Sequence, residues 1–173
     1  IRTLNCSGNN IKEVALDSFP YLRNIVMLGN PALKRIELSR LESLKEVKTG
    51  NNPALDNLQV INCPKLLNLD CANNALSSLE LSNQPLLQNL DCSNNALSSL
   101  ELSNLPLLYN LDCSNNALLD LDVRRNLNLL DLDCRKNQLA CLDLFRNTSL
   151  TSVKADSNCR EVVVNQDRQF DIS

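Results

Sequence analysis

One asparagine recurs along the whole chain at steps of 21 or 22 residues, within strings that are nearly identical to one another. LDCANNALSSLELSNQP, LDCSNNALSSLELSNLP and LDCSNNALLDLDV are the clearest copies. Eight units align on these strings, beginning at residues 1, 22, 44, 66, 87, 108, 129 and 150. A unit this short cannot bury a core by itself, so its neighbours must stack on it. The sequence therefore predicts one repeat domain over residues 1–173, without a clear amino-terminal cap.

Two apolar columns precede the asparagine, at positions four and six of each unit. Position four is Leu, Ile or Val in every unit, and position six is most often Cys. Alternate residues of a strand point to the same face, so this pattern predicts a short strand with its apolar side chains inside. The second half of the unit supplies another apolar pair, such as Val14 with Leu16. Each unit should be one coil of a solenoid whose strands pair in parallel.

The asparagine column has a structural explanation. A chain that turns at the corner of a coil leaves backbone groups without a ladder partner. An asparagine side chain both donates and accepts hydrogen bonds, so it can satisfy the turn and the adjacent coil together. The predicted corner residues are Asn9, Asn30, Asn52, Asn74, Asn95, Asn116, Asn137 and Asn158.

These repeats resemble the leucine-rich-repeat family over essentially the whole chain. The LxCxxN form at 21 to 22 residues is similar to bacterial surface repeats, including internalin-type proteins with a cysteine column. The resemblance implies a repeat solenoid of the α/β or mainly β class. It would be a right-handed superhelix of about eight coils with one parallel sheet on the concave side. The resemblance also implies a non-enzymatic module that binds a protein or peptide through that sheet face, in the bacterial envelope, on the cell surface or secreted.

Four of the eight cysteines recur every 21 residues in the inward column: Cys71, Cys92, Cys113 and Cys134. Neighbours in such a column point the same way at strand spacing, which is unsuitable for a disulfide, so we expect buried free thiols. Cys141 and Cys159 lie off this column on adjacent coils, and a disulfide between them is an open alternative. The chain has no His and no CxxC pair, and we expect neither a metal nor a cofactor.

The outward positions of the predicted strands carry a row of carboxylates beside a row of amides. These residues are Asp70, Asp91, Asp112 and Asp133, with Asn68, Asn89 and Asn110 two positions earlier. Like charges directly opposite one another on a sheet are destabilising, so the row needs an explanation. One interpretation is an acidic groove for a basic or amide-rich partner segment, or a weak cation site. The other is that duplication of the unit copied the Asp, which then helps solubility. Either interpretation predicts raised carboxylate pKa values.

Other predicted surface features are more local. Val26, Leu28 and Tyr109 are predicted to add apolar contact to the binding face, because Tyr and apolar anchors are frequent at binding hot spots. Arg125 and Arg146 stack one coil apart near the carboxyl-terminal end. They form a basic patch that could orient a partner or could be ordinary surface.

The sequence excludes several classes of function. Without His there is no Ser-His-Asp site, and no other catalytic constellation is present, so we expect no enzyme. A net charge of −3 argues against nucleic-acid binding, and no apolar run is long enough to span a membrane. The alternative to partner binding is a structural protein that forms homo-oligomers through uncapped edge strands. Phe170 and Ile172 are predicted to cover the last coil as a partial lid.

Overall fold

The computed structural model describes residues 1–156, 159 and 161–165. The corner residue predicted at Asn158, and the lid predicted from Phe170 and Ile172, lie outside this part of the chain. The described residues form short strands and turns and no helix. They build a solenoid of parallel strands, which confirms the predicted fold class.

The fourteen strands of the described residues are three to five residues long. They are β1 (Thr3–Asn5), β2 (Glu13–Asp17), β3 (Asn24–Val26), β4 (Arg35–Ser39), β5 (Glu46–Lys48), β6 (Asn57–Ile61), β7 (Asn68–Asp70), β8 (Leu79–Ser82), β9 (Asn89–Asp91), β10 (Asn110–Asp112), β11 (Asp131–Asp133), β12 (Cys141–Asp143), β13 (Ser152–Lys154) and β14 (Glu161–Val163).

The main sheet has eight strands in the order β1-β3-β5-β7-β9-β10-β11-β13, one from each predicted unit. All of its pairs are parallel and in repeat register, so that Leu69, Leu90 and Leu111 lie side by side. This register follows from the strand pattern, because a slip of one residue would turn the apolar column outward.

The structure adds sheets on the return side of the coil to the one sheet that the sequence predicts. Strands β2, β4, β6 and β8 form a four-stranded parallel sheet, and β12 pairs with β14. In β4 the inward residues Ile36 and Leu38 are buried, while Glu37 between them is partly exposed. The apolar pair in the second half of the unit therefore has the same period-two geometry as the first.

The core is a stack of aliphatic side chains with a thiol column inside it. Cys71, Cys92 and Cys113 are fully buried and Cys134 is 1% exposed. In the coils that begin at residues 22 and 44, Met27 and Thr49 fill the same column and are also buried.

The possible disulfide near the carboxyl-terminal end of the described residues does not form. No disulfide joins Cys141 and Cys159, and Cys141 is exposed while Cys159 is buried. Cys141 lies in β12, and its register partner in β14 is Glu161. The two sulfurs therefore occupy different environments, one in solvent and one in the core.

The corner after each of the first seven main-sheet strands contains one residue in the left-handed conformation, directly before the corner asparagine. Glycine provides it in the first two units, at Gly8 with φ 67° and Gly29 with φ 63°. Asparagine provides it at Asn51, Asn73, Asn94 and Asn115, and lysine provides it at Lys136. Glycine and asparagine adopt this conformation more readily than other residues, which explains the two polar residues in a row in the NN strings.

Candidate binding face

The corner asparagines fasten each coil to the one before it. The Nδ2 group of Asn95 donates to the backbone oxygens of Cys71 in the preceding coil, at 3.0 Å, and Cys92 in its own coil, also at 3.0 Å. Its Oδ1 atom accepts a hydrogen bond from the backbone N–H of Leu76 at 3.0 Å. Donor and acceptor are both used, so the amide closes the corner on two coils at once.

The same arrangement recurs in the neighbouring coils. Asn116 donates to the oxygens of Cys92 and Cys113 and accepts from the backbone of Leu97. Asn137 accepts from the backbone N–H of Leu118 at 3.0 Å. We call Asn52, Asn74, Asn95, Asn116 and Asn137 the inner amide column, because each of these side chains bonds backbone groups of two coils. At the amino-terminal end, Asn9 bonds only its own coil, and Asn30 has a buried Oδ1 atom without a partner.

A second set of buried amides occupies the opposite corner of the coil, which the sequence analysis missed. Gln84, Asn126 and Asn147 are almost fully buried. The Nδ2 group of Asn126 donates to the oxygens of Leu102 at 3.0 Å and Leu105 at 2.9 Å. The signal was present, because Cys63, Gln84, Leu105, Asn126 and Asn147 also recur every 21 residues. The mixture of residue types hid it, since this corner accepts thiol, amide and aliphatic side chains.

We call this opposite corner, occupied by Gln84, Asn126 and Asn147, the far corner. Its amides make fewer hydrogen bonds than those of the inner amide column. The side-chain oxygens of Gln84, Asn126 and Asn147 are buried and have no hydrogen-bond partner among the described residues. An unsatisfied buried acceptor costs free energy, so these amides contribute less than their burial suggests.

The four aspartates form one row on the outward face of the main sheet. Asp70, Asp91, Asp112 and Asp133 end strands β7, β9, β10 and β11, and each is the register partner of the next. Lys154 continues the row beyond Asp133, and Lys48 precedes it beside Asp70. We call Asp70, Asp91, Asp112 and Asp133 the carboxylate row.

Each member of the row uses one oxygen to close the turn that follows its strand. The Oδ1 atom of Asp91 accepts hydrogen bonds from the backbone N–H of Ser93 at 3.0 Å and from its hydroxyl at 2.7 Å. Asp112 makes the same two bonds to Ser114, at 3.0 and 2.6 Å. Asp70 accepts from the backbone N–H of Ala72 at 3.1 Å. This local turn is a common role of Asp and Asn side chains.

Asp133 differs from the rest of the row because cations neutralise it. Arg135 donates to both of its oxygens, at 3.0 and 2.7 Å, and the Lys154 ammonium lies 3.7 Å from Oδ2. Burial alone would raise the pKa of Asp133, but the hydrogen bonds and charge of Arg135, with the charge of Lys154, lower it below its ordinary value. The expectation of a raised carboxylate pKa is therefore wrong for Asp133, because paired cations outweigh the neighbouring Asp.

The remaining carboxylates keep free oxygens on the surface. Within the described part of the chain, the Oδ2 atoms of Asp70, Asp91 and Asp112 have no hydrogen-bond or salt-bridge partner. Lys48 is bound to Glu46 at 2.8 Å rather than to Asp70. The pKa of Lys48 is raised, first by this hydrogen bond with Glu46 and to a smaller extent by the charge of Asp70.

The amide row beside the carboxylates is hydrogen-bonded along its length. Asn89 Nδ2 donates to Asn68 Oδ1 at 2.6 Å, and Asn110 Nδ2 donates to Asn89 Oδ1. This leaves donor and acceptor positions at the two ends of the row, which can bond a chain that crosses the strands. We call Asn68, Asn89 and Asn110 the outer amide row.

Two shallow grooves run over this face. One, of about 200 Å³, crosses β5, β7, β9 and β10 and is lined by Asp70, Asp91, Asp112 and the outer amide row, together with Glu46 and Lys48. The other, of about 290 Å³, crosses β10, β11 and β13 and ends at Lys154. Both include Asn110 and Asp112, so they form one continuous path across the strands.

The predicted apolar contacts lie at the margin of this path. Val26, Leu28 and Tyr109 are half-buried, and they are absent from the lining of both grooves. Val26 is the register partner of Lys48, which lines the first groove, and Tyr109 directly precedes Asn110, which lines both grooves. The structure therefore brings together the carboxylate row and the outer amide row, and leaves Val26 and Tyr109 outside them.

The inward thiols are chemically inert where they lie. Burial raises the pKa of Cys134 to about 12, with smaller contributions from Cys159 and nearby carboxylates. Burial also raises the pKa of Cys71 and Cys113 well above the ordinary thiol value. Thiols that stay protonated are poor nucleophiles and poor metal ligands. The described residues contain no group of three or more Cys, Asp or Glu placed to hold a metal ion.

Neither a family model nor a curated protein matches the chain. Among solved structures, the functional domain of InlJ from Listeria monocytogenes, described as including a cysteine ladder, superposes with a TM-score of 0.59. The match has 23% sequence identity and covers 95% of this chain.

The chain has the fold of a leucine-rich-repeat solenoid. The predicted resemblance to internalin-type repeats with a cysteine column is confirmed at the level of fold. The match covers 44% of the InlJ chain, so this chain spans less than half of that protein's solved length. In the part that the structure describes, no helix has the length and apolar character needed to cross a membrane.

Proposed function

We propose that this leucine-rich-repeat solenoid is a non-enzymatic protein-binding module that binds its partner through the outward face of the main sheet. Every strand of the main sheet contributes outward side chains to this face in repeat register. Such a surface can hold an extended segment that crosses the strands and meets equivalent side chains at each step. The likeness to the InlJ domain supports the proposal through the fold.

The observation that carries the proposal is that the turn does not require a charge at the position of the carboxylate row. In the first unit the equivalent residue is Asn5, and its Oδ1 accepts the backbone N–H of Ser7 at 3.0 Å. An amide oxygen therefore closes this turn as well as a carboxylate oxygen does. Since aligned like charges destabilise a sheet, Asp in place of Asn at Asp70, Asp91 and Asp112 adds a repulsion that the backbone bond of the turn does not require.

The chemistry of the face indicates the class of partner. Free carboxylate oxygens attract Lys and Arg side chains, and the adjacent outer amide row can bond backbone or Gln and Asn amides. We propose a basic or amide-rich segment, centred on Asp91 and Asp112. At one end of the row Asp133 is neutralised by Arg135 and Lys154, which would stop a cationic segment from extending further.

A peptide titration tests the proposal. The probe is a fluorescent peptide of alternating Lys and Gln, and its affinity is measured by anisotropy at low salt. We expect D91N/D112N to bind it about tenfold more weakly, because each of these half-buried surface charges contributes about 1 kcal/mol. The matched control E13Q/E80Q removes two exposed charges from the return side, where Glu13 and Glu80 lie in β2 and β8.

Two results would contradict the proposal. One is unchanged affinity in D91N/D112N, which would move the site off the carboxylate row. The other is an equal loss in E13Q/E80Q, which would show that the peptide senses only net charge. Because Asn keeps the turn acceptor, the first variant should fold normally, and its circular dichroism verifies this.

We also propose that the protein is located in the bacterial envelope, on the cell surface or outside the cell. The fold likeness to a domain of a Listeria protein supports it. Fractionation of cells that express the chain within its natural protein tests it, and recovery in the cytosol alone would contradict it.

A further inference from the structure

The return side of the solenoid carries a second groove whose chemistry is opposite to that of the main sheet. It has a volume of about 500 Å³ and is lined by Asp122, Arg124, Arg125, Asp143, Phe145, Arg146 and Val163. Three arginines and two aspartates give its lining a net charge of +1, whereas the central groove of the main sheet is lined by four acids and one lysine. We call the groove on the return side the arginine groove.

The arginine groove arises where the repeat departs from its own pattern. Two earlier coils have small polar pairs at these positions, Ser82-Asn83 and Ser103-Asn104. The next two coils have Arg124-Arg125 and Phe145-Arg146 instead. The flanking inward positions stay apolar, with Val123 and Leu144 buried, so the core does not require the change. Duplication copies residues unchanged, and it does not explain large side chains gathered at one place on the surface.

The arginines of the groove differ in how they are used. Arg124 is tied to Asp122 by two hydrogen bonds, at 2.9 and 2.8 Å, and these lower the pKa of Asp122 to about 2. Arg125 and Arg146 are exposed and have no salt bridge or hydrogen bond among the described residues. Two guanidinium groups one coil apart are therefore available to an incoming ligand.

Apolar surface lies beside these two arginines. Phe145 is 54% exposed and Val163 is 37% exposed. Leu127 is exposed in the coil of Arg125. An exposed aromatic next to free arginines has the composition of a protein-binding hot spot, since both residue types are enriched there.

We propose that the arginine groove is a second interaction surface, which takes an acidic peptide segment carrying a large apolar side chain beside its carboxylates. The forked donors of Arg125 and Arg146 match carboxylates, and Phe145 with Val163 receives the apolar group. Asp143 lies in the same lining and repels dense anionic charge. A sulfated polysaccharide or a nucleic acid, which carries dense negative charge and no aliphatic side chain, therefore fits less well than a peptide.

The test uses substitutions that restore the residues of the earlier coils. R125N and R146N introduce the residue found at Asn83 and Asn104, and F145S introduces that of Ser82 and Ser103. The probe is a fluorescent peptide of alternating Glu and Leu, compared with one in which Gln replaces Glu and one in which Ser replaces Leu. A heparin oligosaccharide serves as the polyanion, and R23N serves as the matched control, because Arg23 is exposed and lies on a distant coil.

We expect the Glu-Leu peptide to bind, and R125N/R146N to weaken it about tenfold or more. F145S should weaken it several-fold, and R23N should leave it unchanged. Each altered peptide should bind more weakly than the Glu-Leu peptide. Thermal melts check that the variants fold.

Absence of Glu-Leu peptide binding to the wild type would overturn the proposal. So would binding that R125N/R146N does not weaken, or heparin binding that depends on these arginines while the peptide does not bind. Because D91N/D112N leaves this groove intact, failure here and failure at the main sheet are distinguishable.

Discussion

The inner amide column and the carboxylate row are equally regular in the sequence, yet they are used very differently in the structure. Asn95 is typical of the first, with its oxygen and nitrogen both bonded to backbone of two coils. Asp91 is typical of the second, with one oxygen in a local turn and the other free at the surface. Regular repetition in the sequence therefore does not distinguish a structural residue from a candidate binding residue. The two differ in how many polar atoms of the side chain already have hydrogen-bond partners.

The largest effect is expected when the inner amide column is broken. Asn95→Ala removes the donor to three backbone oxygens and the acceptor for one backbone N–H, all in partly buried bonds. We expect a loss of about 1 to 3 kcal/mol in the free energy of unfolding, because partly buried backbone groups lose their partners. Urea unfolding followed by circular dichroism measures it.

Asn128→Ala is the matched control for that substitution. Asn128 is exposed and makes one bond, from Nδ2 to the oxygen of Pro106 at 2.9 Å. It should cost a few tenths of a kcal/mol, as surface substitutions usually do. Equal losses in the two variants would remove the distinction between corner and surface asparagines.

The thiol column contributes to the free energy of unfolding in a way that depends on pH. The pKa of Cys134 rises from its ordinary 9.0 in the unfolded chain to about 12 in the folded chain. The folded state therefore holds its proton more tightly, and the resulting stability is complete below pH 9 and is lost between pH 9 and 12. The slope in that window approaches about 1.4 kcal/mol per pH unit for one thiol.

Cys134→Ala isolates this contribution. The cost of the smaller side chain does not depend on pH, and other titrating groups are the same in both proteins. We expect the stability of the variant to fall less steeply than that of the wild type above pH 9. Parallel curves would mean that Cys134 is not held protonated by burial.

The far corner should tolerate the replacement of its amide by Leu, whereas the corner that holds the inner amide column should not. Asn126 has a buried oxygen without a partner, and Leu105 fills the equivalent position one coil earlier. Asn126→Leu should change the free energy of unfolding by less than about 1 kcal/mol, since it removes an unsatisfied acceptor together with its two donor bonds. Asn95→Leu should cost more. Comparison of the two urea midpoints tests this, and the reverse order would refute the distinction between the corners.

The smallest effect on stability is expected in the carboxylate row. Asp91→Asn keeps the turn acceptor, as Asn5 does in the first unit, and removes one of the aligned like charges. Stability should rise by a few tenths of a kcal/mol at low salt, and the gain should shrink at high salt because of screening. A clear loss of stability at both salt concentrations would show that the charge has a structural role.

The sequence predicts the main sheet and the thiol column because both follow from one strict period. Leu90 and Cys92 alternate within a unit and recur in the next, and this geometry allows only an inward column. It predicts the far corner poorly, because Gln84, Leu105 and Asn126 share a position without sharing a chemical character. A column of equivalent positions can be recognised in the sequence only where its residues share one chemical character.

The sequence predicts the candidate binding face only in part. It places the four aspartates in one row, since strand register follows from the repeat. It does not reveal that Asp133 is neutralised while Asp91 has a free oxygen, because that depends on the side-chain conformations of Arg135 and Lys154. The arginine groove likewise depends on which arginines find partners, although the sequence predicts Arg125 and Arg146 as a basic patch.

Side-chain amide signals in an NMR titration with the Lys-Gln peptide would test the central claim most directly. The outer amide row borders the proposed site, whereas the inner amide column lies at the corner after the strands, and its nitrogens and oxygens already have backbone partners. We predict that the signals of Asn68, Asn89 and Asn110 shift with added peptide while those of Asn95 and Asn116 stay in place. Unshifted signals in the outer amide row, while the peptide is bound, would contradict the assignment of the main-sheet face as the binding surface.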